Sequence, residues 1–170
     1  NGRVTGNSPY LTFEWKAGKD GEKHEVQTQL IGEYNFPNAL AAITIGTFFG
    51  VEADKINEAL SNYTPQNNRS QLKKTADNTL IIDAYNANPT SMMAALENFN
   101  RMKVKHKMLI LGDMRELGAE SAAEHQKIVD FIKECEFEKV ILVGNQFTAA
   151  RHSYQTYANT QELIQALQNN

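Results

Sequence analysis

Residues 79–102 read TLIIDAYNANPTSMMAALENFNRM. The segment opens as an apolar strand, closes as a helix, and between the two gathers Asp83, Tyr85, Asn86 and Asn88. Asn88 ahead of Pro89 has the form of a helix cap with proline at the first helical position. Downstream, strand-like and helix-like stretches alternate: KMLILG (107–112), SAAEHQKIVDFIKEC (121–135), KVILVG (139–144), QFTAARH (146–152) and TQELIQALQ (160–168). The runs MLIL and VILV lack polar alternation, which suits strands covered on both faces. Helices between such strands imply right-handed crossovers and a mostly parallel sheet, so the expected fold is α/β of the doubly wound type. Ser121 with Glu124 has capping-box spacing at the start of one of those helices.

Upstream the pattern differs. YLTFEW (10–15) and HEVQTQLIG (24–32) alternate apolar and polar positions around the turn AGKDGEK (17–23), which predicts a β-hairpin. YNFPNALAAITIGTFFG (34–50) predicts a helix with Asn35 as cap and Pro37 in its first turn, with Leu40, Ile43 and Thr47 or Phe48 on one face and Gly50 as the stop. VEADKINEALSNY (51–63) repeats helical spacing through Val51, Ile56, Ala59, Leu60 and Tyr63. TPQNNRS (64–70) loses all periodicity and is the expected linker; QLKKTA (71–76) and TLIIDA (79–84) then flank an Asp77-Asn78 turn.

The 170 residues carry 17 positive and 20 negative side chains, a net charge of −3, with no basic block, so an electrostatic nucleic-acid footprint is absent. No apolar run approaches the roughly 20 residues of a membrane span. The lone Cys135 follows Ile128 and Ile132 at helical spacing, which suits a buried thiol in a reducing cytosol. The expected location is cytoplasmic.

No G-x-x-x-x-G-K-[ST] or G-x-G-x-x-G occurs, so the chain has no glycine-rich phosphate cradle. His24, His106, His125 and His152 show no metal-ligand spacing, and His125 is expected to face water. The junction after residue 82 is different. Ligands of open parallel sheets bind beyond the carboxyl ends of the strands, and an acid there can accept both hydroxyls of a ribose. Asp83 and Asn88 could equally satisfy backbone groups in the turn. Asp113 and Glu116, in LILGDMRELG (109–118), are open to the same two readings, and Asn35 and Asn38 to a capping one.

The ordered set GEYNFPNALAA (32–42), Arg69, IIDAYNANPTSMMAAL (81–96), LILGDMRELG (109–118) and EHQ (124–126) resembles the Mur ligase family over about residues 10 to 150. YNANP and LGDM-x-ELG point to the branch that joins D-alanyl-D-alanine to UDP-N-acetylmuramoyl-tripeptide; N-x-x-N-A-x-A is shared across the family. The resemblance implies an ATP- and Mg2+-dependent ligase of three domains. Residues 1–68 would close its central ATP-binding domain and 69–170 form most of its C-terminal Rossmann-like domain. The rest of the parent chain, with the catalytic residues and phosphate loop, would lie elsewhere, so these residues alone are expected not to ligate.

By the same resemblance Asn35 and Asn38 lie near adenine, Arg69 approaches ribose and phosphates, and Asp83 holds the ribose. Tyr34 stands where the family has histidine; its flat ring can pack on adenine but does not titrate near neutral pH. Tyr85, Asn86, Asn88 and Asp113 are candidates for the dipeptide, or for turn and packing roles. Alternatives are another amide ligase of the family, such as a folylpolyglutamate synthase, and a non-catalytic nucleotide-binding or interaction module.

Overall fold

The computed structural model describes residues 1–7, 9–66 and 68–169, so Asn67 of the expected linker and Asn170 at the chain's end lie outside the described residues. The chain forms two compact units, Asn1–Tyr85 and Asn86–Asn170.

In the first unit, β1 (Gly2–Asn7), β2 (Tyr10–Lys16) and β3 (Lys23–Ile31) form an antiparallel sheet in that order. The alternation in β2 sends Leu11, Phe13 and Trp15 inward, each at most 3% exposed. The expected hairpin is therefore β2–β3. It gains the edge strand β1, half of whose residues are exposed and which carries too little apolar alternation to announce it. A single 3₁₀ turn, Glu33–Asn35, leads into α1 (Phe36–Phe48), and α2 (Ala53–Asn62) follows. Ala39, Ile43 and Ile56 pack with Leu11, Phe13, Trp15 and Val26 in one core. Fully burying an aliphatic or aromatic side chain of this size contributes about 1.5–3 kcal/mol.

Several helix expectations need correction. The buried stripe of α1 runs through Ala39 and Ile43, while Thr47 is exposed and Phe48 is 82% exposed. Asn35 occupies the cap position of α1, yet its side chain caps nothing: the helix grows out of the 3₁₀ turn, and Asn35 Nδ2 donates back to Ile31 O. In α2 the i, i+4 pair Ile56 and Leu60 turns inward, whereas Ala59 is exposed and Val51 and Tyr63 lie outside the helix.

β4 (Gln71–Lys74) and β5 (Thr79–Ile82) close the first unit as an antiparallel hairpin around Thr75–Asn78. Thr75 N–H donates to Asn78 O at 2.8 Å and Asn78 N–H to Thr75 Oγ1 at 3.0 Å. The strand that leads into Asp83 thus belongs to this hairpin and not to the parallel sheet, because a four-residue connection permits only antiparallel pairing.

The second unit alternates α3 (Pro89–Arg101), β6 (Met108–Gly112), α4 (Ser121–Lys133), β7 (Lys139–Val143), α5 (Asn145–Ala149), β8 (Gln155–Tyr157) and α6 (Thr160–Gln168). β6, β7 and β8 pair in parallel in that order. Both faces of β7 are covered: Val140 and Leu142 join Leu96, Leu109, Met114, Ile128, Val129, Ile132 and Phe147, while Ile141 and Val143 meet Leu163. β6 is covered on one face only, with Ile110 51% exposed. QFTAARH yields a helix of five residues, and the short β8 that follows carries no apolar run to reveal it.

His125, expected at the surface, is 0% exposed. Its place three, four and seven residues before Ile128, Val129 and Ile132 sets it on the apolar stripe of α4. The Ser121–Glu124 capping box does not form: a 3₁₀ turn, Gly118–Glu120, feeds α4 directly, and Glu124 pairs with Lys127. Cys135 is half-buried; its thiol donates to Phe131 O, and burial raises its pKa. Among the described residues no helix is long and apolar enough to cross a membrane.

Candidate functional site

The site in the first unit starts from a glycine. Gly32 has φ +93°, and a Cβ there would fall 2.2 Å from Cε1 of Tyr34. Only glycine lets the chain turn out of β3 with the Tyr34 ring laid over its backbone. The Tyr34 hydroxyl reaches Ser70 Oγ at 2.5 Å, and Ser70 Oγ–H donates to Asp83 Oδ2 at 3.2 Å. A serine hydroxyl has one proton, so with that proton on Asp83 the Tyr34 O–H is the donor to Ser70. The order is Tyr34 to Ser70 to Asp83. Burial pushes the Tyr34 phenol above its ordinary range, and the nearby Asp83 charge reinforces this.

Ser70 is 4% exposed and takes φ +49°, and Asn68 takes φ +51°. Asn68 O accepts from Ala84 N at 2.8 Å, which ties the linker's end to the residue after Asp83. Between Asn68 and Ser70, the exposed Arg69 lays its guanidinium 3.9 Å over the ring of Tyr85. Asp83 is exposed as well, so a fixed cation and a tethered carboxylate face solvent within one short segment. Asn38 Nδ2 donates to Asn35 Oδ1 at 3.3 Å, and Asn35 Nδ2 to Ile31 O at 2.8 Å, so the two amides hold each other beside Tyr34.

The second unit holds the remaining candidates. Asn88 Oδ1 accepts from Ser91 N at 3.0 Å, the expected cap of α3, and Asn86 is exposed. Asp113 follows β6, and its two oxygens accept from Gln146 N and Phe147 N, each at 3.0 Å. A Cβ on Gly144, which has φ +118°, would lie 2.2 Å from the Asp113 carboxyl carbon. Asp113 thereby braces the start of α5 against the end of β6. His125 completes the brace: Nδ1–H donates to Ser121 O at 2.7 Å, Nε2 accepts from Met114 N at 3.0 Å, and the ring meets Phe147 edge-on. Glu116 is exposed at φ +64°.

The structure therefore brings Tyr34 and Asp83 together through Ser70, Arg69 onto Tyr85, and Asn35 onto Asn38. Asn88 and Asp113 satisfy backbone amides in their own unit. Ser70 was not foreseen; a lone serine in an aperiodic linker has no sequence signal beyond standing next to Arg69.

The first unit thus holds a sheet, two helices and an arginine-bearing segment that runs into the β4–β5 hairpin, and a parallel α/β unit follows it in the chain. The chain belongs to the Mur ligase family: the description "Mur ligase, glutamate ligase domain" matches residues 68–170. Among particular relatives, the UDP-N-acetylmuramoyl-tripeptide--D-alanyl-D-alanine ligase of Escherichia coli K12 is 34% identical over 147 residues, covering 86% of this chain and 31% of the relative. The ligase of the same name from Bacillus subtilis 168 is 33% identical over 154 residues, covering 83% and 33%. The crystal structure of MurF from Acinetobacter baumannii superposes with TM-score 0.83 at 27% identity, covering 98% of this chain and 37% of that one. MurF from Thermotoga maritima in complex with ADP shares the fold, with TM-score 0.79 at 16% identity, covering 99% and 40%. The chain spans about a third of the length of the curated relatives it matches. The family match begins at residue 68, while the compact units divide after Tyr85, because the hydrogen bonds of Ser70 and Asp83 tie the β4–β5 hairpin to Tyr34.

Proposed function

We propose that this chain is part of an ATP-dependent ligase that joins D-alanyl-D-alanine to UDP-N-acetylmuramoyl-tripeptide in peptidoglycan synthesis. ATP phosphorylates the terminal carboxylate of the tripeptide, the dipeptide amine attacks the acyl phosphate, and the tetrahedral intermediate expels phosphate. The observation that carries the reading is the convergence of Tyr34, Ser70 and Asp83 from three separate segments, beside Arg69, in a chain 34% identical to such a ligase.

The exposed groups have the chemistry of an adenosine nucleotide site. Asp83 can accept ribose hydroxyls, Arg69 offers positive charge where phosphate charge shifts, and the paired amides of Asn35 and Asn38 can match the amino group and ring nitrogens of adenine. Tyr34 contributes through its hydroxyl as well as its ring. For the dipeptide, Tyr85 and Asn86 remain the exposed candidates, while Asn88 and Asp113 have backbone roles that a substrate role would add to. Magnesium accompanies the nucleotide phosphates. By the family resemblance its protein ligands belong to other parts of the ligase.

Residues 1–68 are read as the end of the central domain and 69–170 as the C-terminal domain, whose closure over the nucleotide excludes water. The cytoplasm, which supplies ATP and UDP-linked precursors, is the expected compartment. The test is Asp83→Ala in the complete ligase. Losing hydrogen bonds to the ribose should raise the KM for ATP about tenfold or more and leave the KM for D-alanyl-D-alanine near wild type. An unchanged ATP dependence removes Asp83 from the nucleotide site.

A further inference from the structure

We propose that Tyr34 and Ser70 are positioning residues for the nucleotide: Tyr34 O–H to Ser70 O–H to Asp83 is a relay that holds the Asp83 carboxylate in its ribose-accepting orientation. The proposal rests on the reading of Asp83 as the ribose acceptor.

Asp83 is exposed at a strand end, where a carboxylate unheld by neighbours turns freely. Ser70 fixes Oδ2 and leaves Oδ1 to a ligand hydroxyl. Ser70 in turn is fixed from both sides. At 4% exposure its hydroxyl is closed off from bulk water, and its proton and one lone pair are taken by Asp83 and Tyr34. Its φ of +49° is one that glycine adopts freely, yet a serine stands there, so the hydroxyl is what the position supplies over glycine. The Tyr34 ring is held in turn against Gly32, which admits no side chain. A phenol titrates at about pH 10, so the first proton of the relay is in place at neutral pH. The relay also gives a use to the tyrosine at residue 34, whose ring cannot do the acid–base work of an imidazole.

A purely structural role for the same hydrogen bonds predicts lost stability and no selective effect on ATP. Tyr34→Phe removes one hydroxyl and leaves the ring; Ser70→Gly removes the other while relaxing the backbone. In the complete ligase, each should raise the KM for ATP about three- to tenfold, the penalty for ordering a side chain on binding, with kcat and the KM for dipeptide unchanged. Each should also reduce the preference for ATP over 2′-deoxy- and 3′-deoxy-ATP, and the double variant should be no worse than Ser70→Gly alone. Should Asp83→Ala lose ATP affinity and ribose discrimination while both hydroxyl variants keep wild-type values, the relay is overturned and the Asp83 reading stands. Should Asp83→Ala itself leave ATP binding untouched, the reading and the relay both fall.

Discussion

At the scale of single residues, the site depends on positions whose alternatives the backbone forbids. Gly32→Ala must relieve a 2.2 Å approach to the Tyr34 ring at φ +93°. We expect it to cost about 2 kcal/mol or more in thermal or denaturant unfolding, and to raise the KM for ATP by displacing Tyr34. The raised Tyr34 pKa has its own consequence. Below the unfolded tyrosine value of about 10 the phenol is protonated in both states and adds no slope to stability. Above it the unfolded phenol ionises first, so stability falls as pH rises, and Tyr34→Phe should flatten that alkaline limb in denaturation at pH 9 to 11. An identical limb in the variant contradicts the assignment. His125→Ala should cost about 2–4 kcal/mol, since it opens a cavity and strands Met114 N–H. The sequence shows Asp83 as an acid ending a strand and Gly32 as part of a motif. It hides Ser70, whose partners lie 36 and 13 residues away, and His125 misleads because a polar type sits on an apolar stripe that its spacing does disclose.

At the scale of elements, patterns with a period were readable and those without were not. The alternation of β2 and the unbroken run of β7 marked strands, and Asn88-Pro89 marked the start of α3. β1 and β8 escaped, one being a half-exposed edge and the other three residues long. The pairing of β5 was misread because a short apolar run looks alike in a hairpin and in a parallel sheet, and the connection length decides between them. The Ser121-Glu124 spacing failed as a box because a helix that continues a 3₁₀ turn has no extended cap residue to close. Asn88 does cap, so Asn88→Ala should lower stability by about 1 kcal/mol in chemical denaturation. A KM for dipeptide that rises beyond what this loss explains would add a substrate role. Asp113→Ala removes the acceptor of two α5 amides and should destabilise the second unit, read as lost amide protection over residues 145–149.

At the scale of the molecule, the two units have separate cores. Leu11, Phe13 and Trp15 anchor one, and Ile128, Ile132 and Leu142 the other. Phe13→Ala should therefore lower hydrogen-exchange protection in Asn1–Tyr85 and spare β6 and β7, whereas uniform loss across both units would show a single cooperative fold. The sequence separated these regions at the aperiodic linker near residue 68; the contacts divide them after Tyr85, because hydrogen bonds from Ser70 and Asp83, unreadable as pattern, draw the β4–β5 hairpin into the first unit. The proposed reaction can be read as phosphate release from the complete ligase supplied with ATP, UDP-N-acetylmuramoyl-tripeptide and a panel of amine acceptors. Release should require ATP and D-alanyl-D-alanine together; release with another acceptor such as glutamate, or none with the dipeptide, would overturn the proposed reaction.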